Sequence, residues 1–136
     1  MKLKVDKAVT VFLWLVALHS FLIGIGLIFL PSSAFKFLEF DTTFDRFFSA
    51  QGGVFHIAMA ICYAMAGYDR IKYRQLIIFS IIVKFIAAIF LIIYFLMVSS
   101  QWLIIVSAVS DLLMGVIILH LYRLLTAELY FRKNER

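Results

Sequence analysis

Four long apolar runs dominate the sequence and leave few folds open to it. They cover residues 8–30, 47–67, 73–98 and 102–126. Each is long enough to cross a hydrocarbon core, which needs about 20 residues. Each must be helical because lipid offers no partner for open backbone groups, and none alternates in polarity as a membrane β-strand does. We therefore predict an all-α, four-helix transmembrane bundle that forms a single domain over residues 1–136.

The composition agrees with an integral membrane protein in contact with a lipid bilayer. Hydrophobic residues make up 65% of the chain and charged residues 15%, and the mean hydropathy is +1.04. A typical soluble domain carries about 25% charged residues. The net charge of +5 is better explained by anchoring charges at the membrane surface than by nucleic-acid binding. No nucleic-acid partner is expected, and the single cysteine, Cys62, is interpreted as a packing residue.

Basic residues predict how the bundle is oriented. They fall in three regions: Lys2, Lys4 and Lys7; Arg70, Lys72 and Arg74; and Arg123, Arg132, Lys133 and Arg136. With four spans, all three regions lie on one side, and the positive-inside rule makes that side the cytoplasm. The first run is longer than a signal-peptide core of about 7–15 residues, so we expect it to be retained. We predict that both termini are cytoplasmic, in a bacterial cytoplasmic (inner) membrane.

The first connection, residues 32–46, has a pattern of its own. Phe37, Phe40, Phe44 and Phe48 recur at helical spacing, with charged residues between them. This pattern predicts a short amphipathic helix at the outer interface. Such a helix would order the bundle from the membrane surface; a lid or a partner-docking patch is the alternative.

Each apolar run carries one polar or charged residue at a similar depth. At about 1.5 Å per residue, His19 and Lys84 lie about 16 Å from the inner edge, and His56 and Asp111 about 14 Å from the outer edge. The hydrocarbon core is about 30 Å thick, so all four fall near one plane. Charged groups in spans usually face the bundle interior and find partners there.

The third and fourth runs form a tight hairpin, and we predict a Lys84–Asp111 ion pair across it. Small and polar residues near these positions should let the helices converge there. They are Gly26 in run one; Gly52, Ala60 and Ala64 in run two; Ser80 and Ala88 in run three; and Ser107 and Gly115 in run four. The pair could fix helix register, or it could belong to a functional pocket, the default interpretation of intramembrane charges.

The functional interpretation is a ligand site formed by Lys84, Asp111, His56 and His19, with Gln51 at its outer mouth. A quinone, a lipid-like headgroup or a small metabolite would suit it, and histidine also permits proton relay. Haem ligation by His19 and His56 is disfavoured, because a pair among three histidines is a weak signal. No hydrolase or phosphate-loop motif occurs, so hydrolytic catalysis is disfavoured. Whether the chain is an enzyme stays open, with a non-enzyme preferred, and no metal site is expected.

The residues also resemble a known family, the DoxX-like small four-helix integral membrane proteins. The resemblance is carried by Gly24-Ile25-Gly26 with Pro31, by Arg46 followed by Gln51-Gly52-Gly53, by Lys84, and by Val109-Ser110-Asp111-Leu112. It covers most of the chain through scattered positions. It implies a four-helix bundle linked to membrane redox systems, often as a quinone-associated subunit.

These lines lead to one main hypothesis and to alternatives. The main hypothesis is a membrane subunit or small-molecule-binding protein with a polar centre at the midplane. The alternatives are a proton-coupled small-molecule transporter and an intramembrane isomerase or redox enzyme that uses Asp111 as acid or base. A membrane-protein partner or a homodimer is compatible with each.

Overall fold

The computed structural model describes residues 4–38 and 46–134, with side-chain positions for residues 5–38 and 46–130. Its helices are α1 (Lys4–Phe29), α2 (Ser32–Phe37), α3 (Phe47–Tyr68), α4 (Arg74–Met97) and α5 (Trp102–Asn134). All except α2 are long and apolar enough to cross a membrane. The predicted all-α fold with four spans is confirmed, and the described residues contain no strand.

Local chemistry explains where the helices end. The last backbone bond of α1 runs from the Leu30 N–H to the Gly26 carbonyl, and the next residue, Pro31, has no N–H to continue it. After α3, the Asp69 carboxylate accepts the backbone N–H groups of Ile71 and Lys72 at 3.1 and 2.9 Å. This Asp-centred turn satisfies the backbone where the chain reverses into α4.

The predicted helix between the first two spans is present in part. α2 covers Ser32–Phe37, and Phe37 is 85% exposed. Phe40 and Phe44 lie outside the described residues, and Phe48 belongs to α3. A helix therefore follows the first span, whereas its amphipathic, interfacial character stays a prediction.

Helix α5 is longer than the predicted fourth span, because it continues past Thr126 to Asn134. After Gly115 it contains no glycine or proline to interrupt it. Leu125 is buried in the same apolar cluster as Val9, and Val5 and Leu129 pack against that cluster. The first turns of α1 therefore support the end of α5, and tertiary packing of this kind supplies most helical stability.

The helices form two antiparallel pairs that pack side by side. α1 packs extensively on α3, and α4 on α5, while smaller contacts join α1 to α5 and α3 to α4. Helices diagonally opposite each other do not meet within the described residues. We call the end of the bundle with α1's first turn, the α3–α4 connection and the last turns of α5 the basic end, and the other the opposite end.

The α1–α3 pair approaches most closely at Gly24 and Gly53. A Cβ atom added to Gly53 would lie 2.6 Å from the Gly24 carbonyl oxygen, and one added to Gly24 would lie 2.7 Å from that of Gly53. Gly52 has room, since a Cβ there would come no nearer than 3.9 Å to Leu27. Gly24 and Gly53 therefore make the close contact. The sequence pattern instead predicts Gly26 and Gly52 as the small residues where the helices converge.

Hydrogen bonds fasten this helix pair at both ends. At the opposite end, Ser49 donates to the Leu27 carbonyl at 2.9 Å, and Arg46 donates to the Leu30 carbonyl at 2.6 Å. These are carbonyls that the end of α1 would otherwise leave unsatisfied. At the basic end, Arg70 donates two hydrogen bonds to the Asp6 carboxylate, at 2.6 and 2.8 Å. The sequence pattern indicates Arg70 only as an orienting charge.

Candidate functional site

The predicted ion pair between Lys84 and Asp111 is confirmed. The Lys84 Nζ atom lies 2.5 Å from Asp111 Oδ1, and the side chains are only 5% and 15% exposed. The pair joins α4 to α5 within the apolar stretch of each helix. An unpaired charge at such a depth is costly, so each group compensates the other.

Two residues shape the surroundings of the Lys84 ammonium group. The ammonium lies 5.6 Å from the centre of the Tyr63 ring, close enough for a cation–π interaction. Tyr63 belongs to α3 and is 1% exposed. Gly115 lets α5 come close, because a Cβ there would lie 3.2 Å from the Lys84 Cβ. Lys84 therefore contacts both neighbours of α4 in the bundle.

Tyr63 is a site residue that sequence reasoning missed. It follows His56 by seven residues, which is two helical turns and places both on one face of α3. A buried tyrosine usually brings a polar tip that needs a partner. The seven-residue spacing from His56 could have identified Tyr63 in the sequence, because it extends the polar face of α3 toward the basic end.

His56 is held at the contact between α1 and α3 by Ser20. The Ser20 hydroxyl donates to the His56 backbone carbonyl at 3.0 Å and lies 3.3 Å from His56 Nδ1. Ser20 is buried, with 2% of its surface exposed. Sequence reasoning did not select Ser20, although its position directly after His19 places it at the correct depth.

The four predicted midplane residues come one from each spanning helix: His19 from α1, His56 from α3, Lys84 from α4 and Asp111 from α5. His19 and His56 are half-buried, Lys84 is buried and Asp111 is half-buried. Of the four, Lys84 and Asp111 are in contact, and a ligand site that also includes His19 and His56 stays a prediction.

Gln51, the fifth predicted site residue, is not brought into this centre. It precedes His56 by five residues, about 7.5 Å along the helix and roughly 140° around it. Its side chain is exposed near the opposite end of the bundle, and no hydrogen bond joins it to another described residue. Gln51 therefore lies outside the centre and its role at the outer mouth stays a prediction, while nearby Arg46 caps α1.

Small residues line the polar centre on α4, at the positions that the sequence predicts. Ser80 and Ala88 are fully buried on either side of Lys84, and Ser80 donates to the Leu76 carbonyl at 2.6 Å. Ala60 on α3 is also buried. The absence of bulky side chains there leaves room for the polar groups.

The described groups of the centre offer hydrogen bonding and charge. Asp111 uses Oδ1 for Lys84, and its Oδ2 makes no hydrogen bond to the described residues. A carboxylate oxygen can accept a further proton or hydrogen bond. Within residues 4–38 and 46–134, no group of three or more His, Cys, Asp or Glu residues is placed to hold a metal ion.

Four helices of this length and hydropathy, with large apolar side chains exposed to the surroundings on every one, define a small integral membrane protein. The chain matches no protein-family model, no curated protein and no solved structure in comparisons with each. Its function must therefore be inferred from its own geometry.

Proposed function

We propose that the protein binds a small amphiphile with a polar head, of the quinone or lipid type, at its midplane centre. The observation that carries this proposal is the Lys84–Asp111 pair, whose carboxylate remains partly accessible while the ammonium is enclosed. A ligand that reaches Asp111 from the lipid side would keep its apolar tail in the bilayer. Its polar head would meet the charged pair.

The neighbouring groups favour a ligand over a purely structural pair. A pair that only fixes helix register needs one cation and one anion. Here the neighbouring helices α1 and α3 also carry the imidazoles of His19 and His56, which can donate or accept hydrogen bonds. A quinone head offers carbonyl acceptors to Lys84 and the imidazoles, and its reduced form offers a hydroxyl donor to Asp111 Oδ2.

The resemblance to DoxX-like proteins supports the same proposal from another direction. Members of that family are linked to membrane redox systems, so the chain would act as a membrane subunit beside a redox partner. The midplane ligand site and a redox partner would each require a quinone-like molecule in the bilayer next to this bundle.

Ligand binding should appear as stabilisation of the purified protein in detergent. A decyl-substituted benzoquinone at 100 times its Kd should stabilise the native protein by about 2.7 kcal/mol, through mass action on the folded state. The variant with Lys84→Met and Asp111→Leu should lose that stabilisation, because both charged groups of the centre are gone. Thermal unfolding with and without the quinone measures both effects.

Two controls separate head recognition from detergent-like effects. An alkane with the same chain length should not stabilise the wild type, and Gln51→Ala should keep the full response because Gln51 lies away from the centre. Equal stabilisation by the alkane, or no response to the quinone or to lipids with a polar head, would refute midplane binding.

We also propose that both termini face the cytoplasm of a bacterial cell, with the basic end inside. The support is the clustering of exposed Lys7, Lys72, Arg74 and Arg123 at that end. Green fluorescent protein fused after residue 136 should fluoresce, and alkaline phosphatase inserted at Ser100 should be active, because these reporters work on opposite sides of the membrane. Exchanging the two reporters should silence both, and activity in the exchanged arrangement would overturn the orientation.

A further inference from the structure

At the basic end, α5 bears a surface hollow that is separate from the midplane centre. The hollow has a volume of about 460 Å³ and is lined by Tyr122, Arg123, Thr126, Ala127 and Tyr130. These residues lie within four positions of Thr126, where the fourth apolar run ends. Tyrosine is enriched where a span meets the headgroup region, so the hollow lies at the expected depth of lipid headgroups and upper acyl chains.

One arginine, Arg123, lines this hollow, and a second, Arg74, contacts the lining residue Tyr122. The Arg74 Nε atom donates to the Tyr122 hydroxyl at 2.7 Å, and its guanidinium lies 5.4 Å from the centre of the same ring. Its two terminal nitrogens have no acceptor among the described residues. Arg123 follows Tyr122 on α5, is exposed, and makes no hydrogen bond or ion pair within the described part of the chain. Tyr122 therefore holds one guanidinium beside the hollow, and Arg123 supplies a second.

The described acidic residues of the basic end, up to residue 130, do not neutralise these arginines. Asp6 is bonded to Arg70, and Asp69 accepts backbone N–H groups in its own turn. At 3.6 residues per turn, the five lining residues fall within about 140° of one face of α5, whereas Glu128 falls on roughly the opposite face. The hollow thus combines apolar walls with positive charge that no described side chain compensates.

We infer that an anionic phospholipid binds at this hollow, with its phosphate between Arg74 and Arg123 and an acyl chain along α5. The guanidinium fork matches phosphate oxygens and can bond to two of them at once. Basic pockets between spans are known to take anionic headgroups. The tyrosine rings and Ala127 provide the apolar contact that an acyl chain needs, which a soluble phosphate would not use.

The test is native mass spectrometry of the protein released from membranes that contain phosphatidylglycerol and phosphatidylcholine in equal amounts. The wild type should retain one phosphatidylglycerol in preference to phosphatidylcholine. Each basic residue near the surface changes lipid affinity by about fivefold. Arg123→Gln should therefore weaken phosphatidylglycerol retention about fivefold, and Arg74→Gln with Arg123→Gln about 30-fold.

A matched variant tests whether the effect is local. Lys7→Gln with Lys72→Gln also removes two exposed charges at the basic end but leaves the hollow intact, and it should retain the lipid almost as well as the wild type. Equal loss in this variant would mean diffuse attraction and would overturn the site, as would a wild type with no preference for phosphatidylglycerol.

Two further measurements keep the result interpretable. Arg123 has no described protein partner, so Arg123→Gln should fold normally, and unchanged lipid retention in this single variant counts against the site. Soluble glycerol phosphate should fail to displace the lipid. Displacement by glycerol phosphate at the same concentration would show that the hollow and acyl chain contribute nothing, and would also overturn the proposal.

Discussion

Replacing Lys84 with methionine should lower the free energy of unfolding by about 3–5 kcal/mol, because it leaves the largely shielded Asp111 carboxylate without its counter-charge. The two groups lie 2.5 Å apart, and both side chains are largely shielded. Equilibrium unfolding in mixed micelles, with increasing fractions of a denaturing detergent, measures the change. Ile86→Met is the matched control, because Ile86 lies on the same helix with 62% of its surface exposed.

Removing the Asp111 charge as well should reverse this loss of stability. Lys84→Met combined with Asp111→Leu should unfold within about 1 kcal/mol of the wild type, since apolar side chains of similar volume often replace a buried pair at little cost. The double-mutant cycle then gives a large coupling energy. Additive effects of the two single substitutions would mean that the pair does not contribute to stability in the membrane protein.

Recovery of stability also separates structure from function. If the pair serves only to hold α4 on α5, the double variant should restore whatever the single variants lose, including quinone-dependent stabilisation. If the pair belongs to the proposed ligand site, the double variant should be stable and unresponsive to the quinone. The same protein sample answers both questions.

Gly53→Ala should destabilise the bundle by about 1–3 kcal/mol, the usual cost of forcing extra atoms into a packed interface. The new Cβ would lie 2.6 Å from the Gly24 carbonyl oxygen. Because that oxygen is backbone, no rotation of a side chain can relieve the clash, and α1 and α3 must separate. The mixed-micelle unfolding measurement applies here as well.

The neighbouring glycine provides the control for this prediction. Gly52→Ala adds the same methyl group where the nearest atom would be 3.9 Å away. It should leave stability unchanged or raise it by up to about 1 kcal/mol, since alanine is the better helix former. A Gly53→Ala variant as stable as Gly52→Ala would show that α1 and α3 do not pack as described.

Part of the polar centre can be predicted from the order of residues alone, because that order sets how high each residue lies along its helix. The other part depends on how each helix is rotated. Lys84 and Asp111 lie on consecutive helices joined by a tight turn, so counting residues from the turn fixes their relative height. Tyr63 and Ser20 cannot be placed this way. Their roles depend on how each helix is rotated about its axis, and these helices are apolar on nearly all sides.

The sequence by itself determined the four spans, their approximate ends and the depth of the polar residues within them. Those properties depend on the length of apolar runs and the rise of a helix, which are local. Only the tertiary structure decided that Gly24 and Gly53, rather than Gly26 and Gly52, make the close contact. It also decided that Tyr63 covers the Lys84 ammonium and that Gln51 lies outside the centre. These outcomes depend on which faces of the helices meet, and that is settled by packing among side chains far apart in the chain.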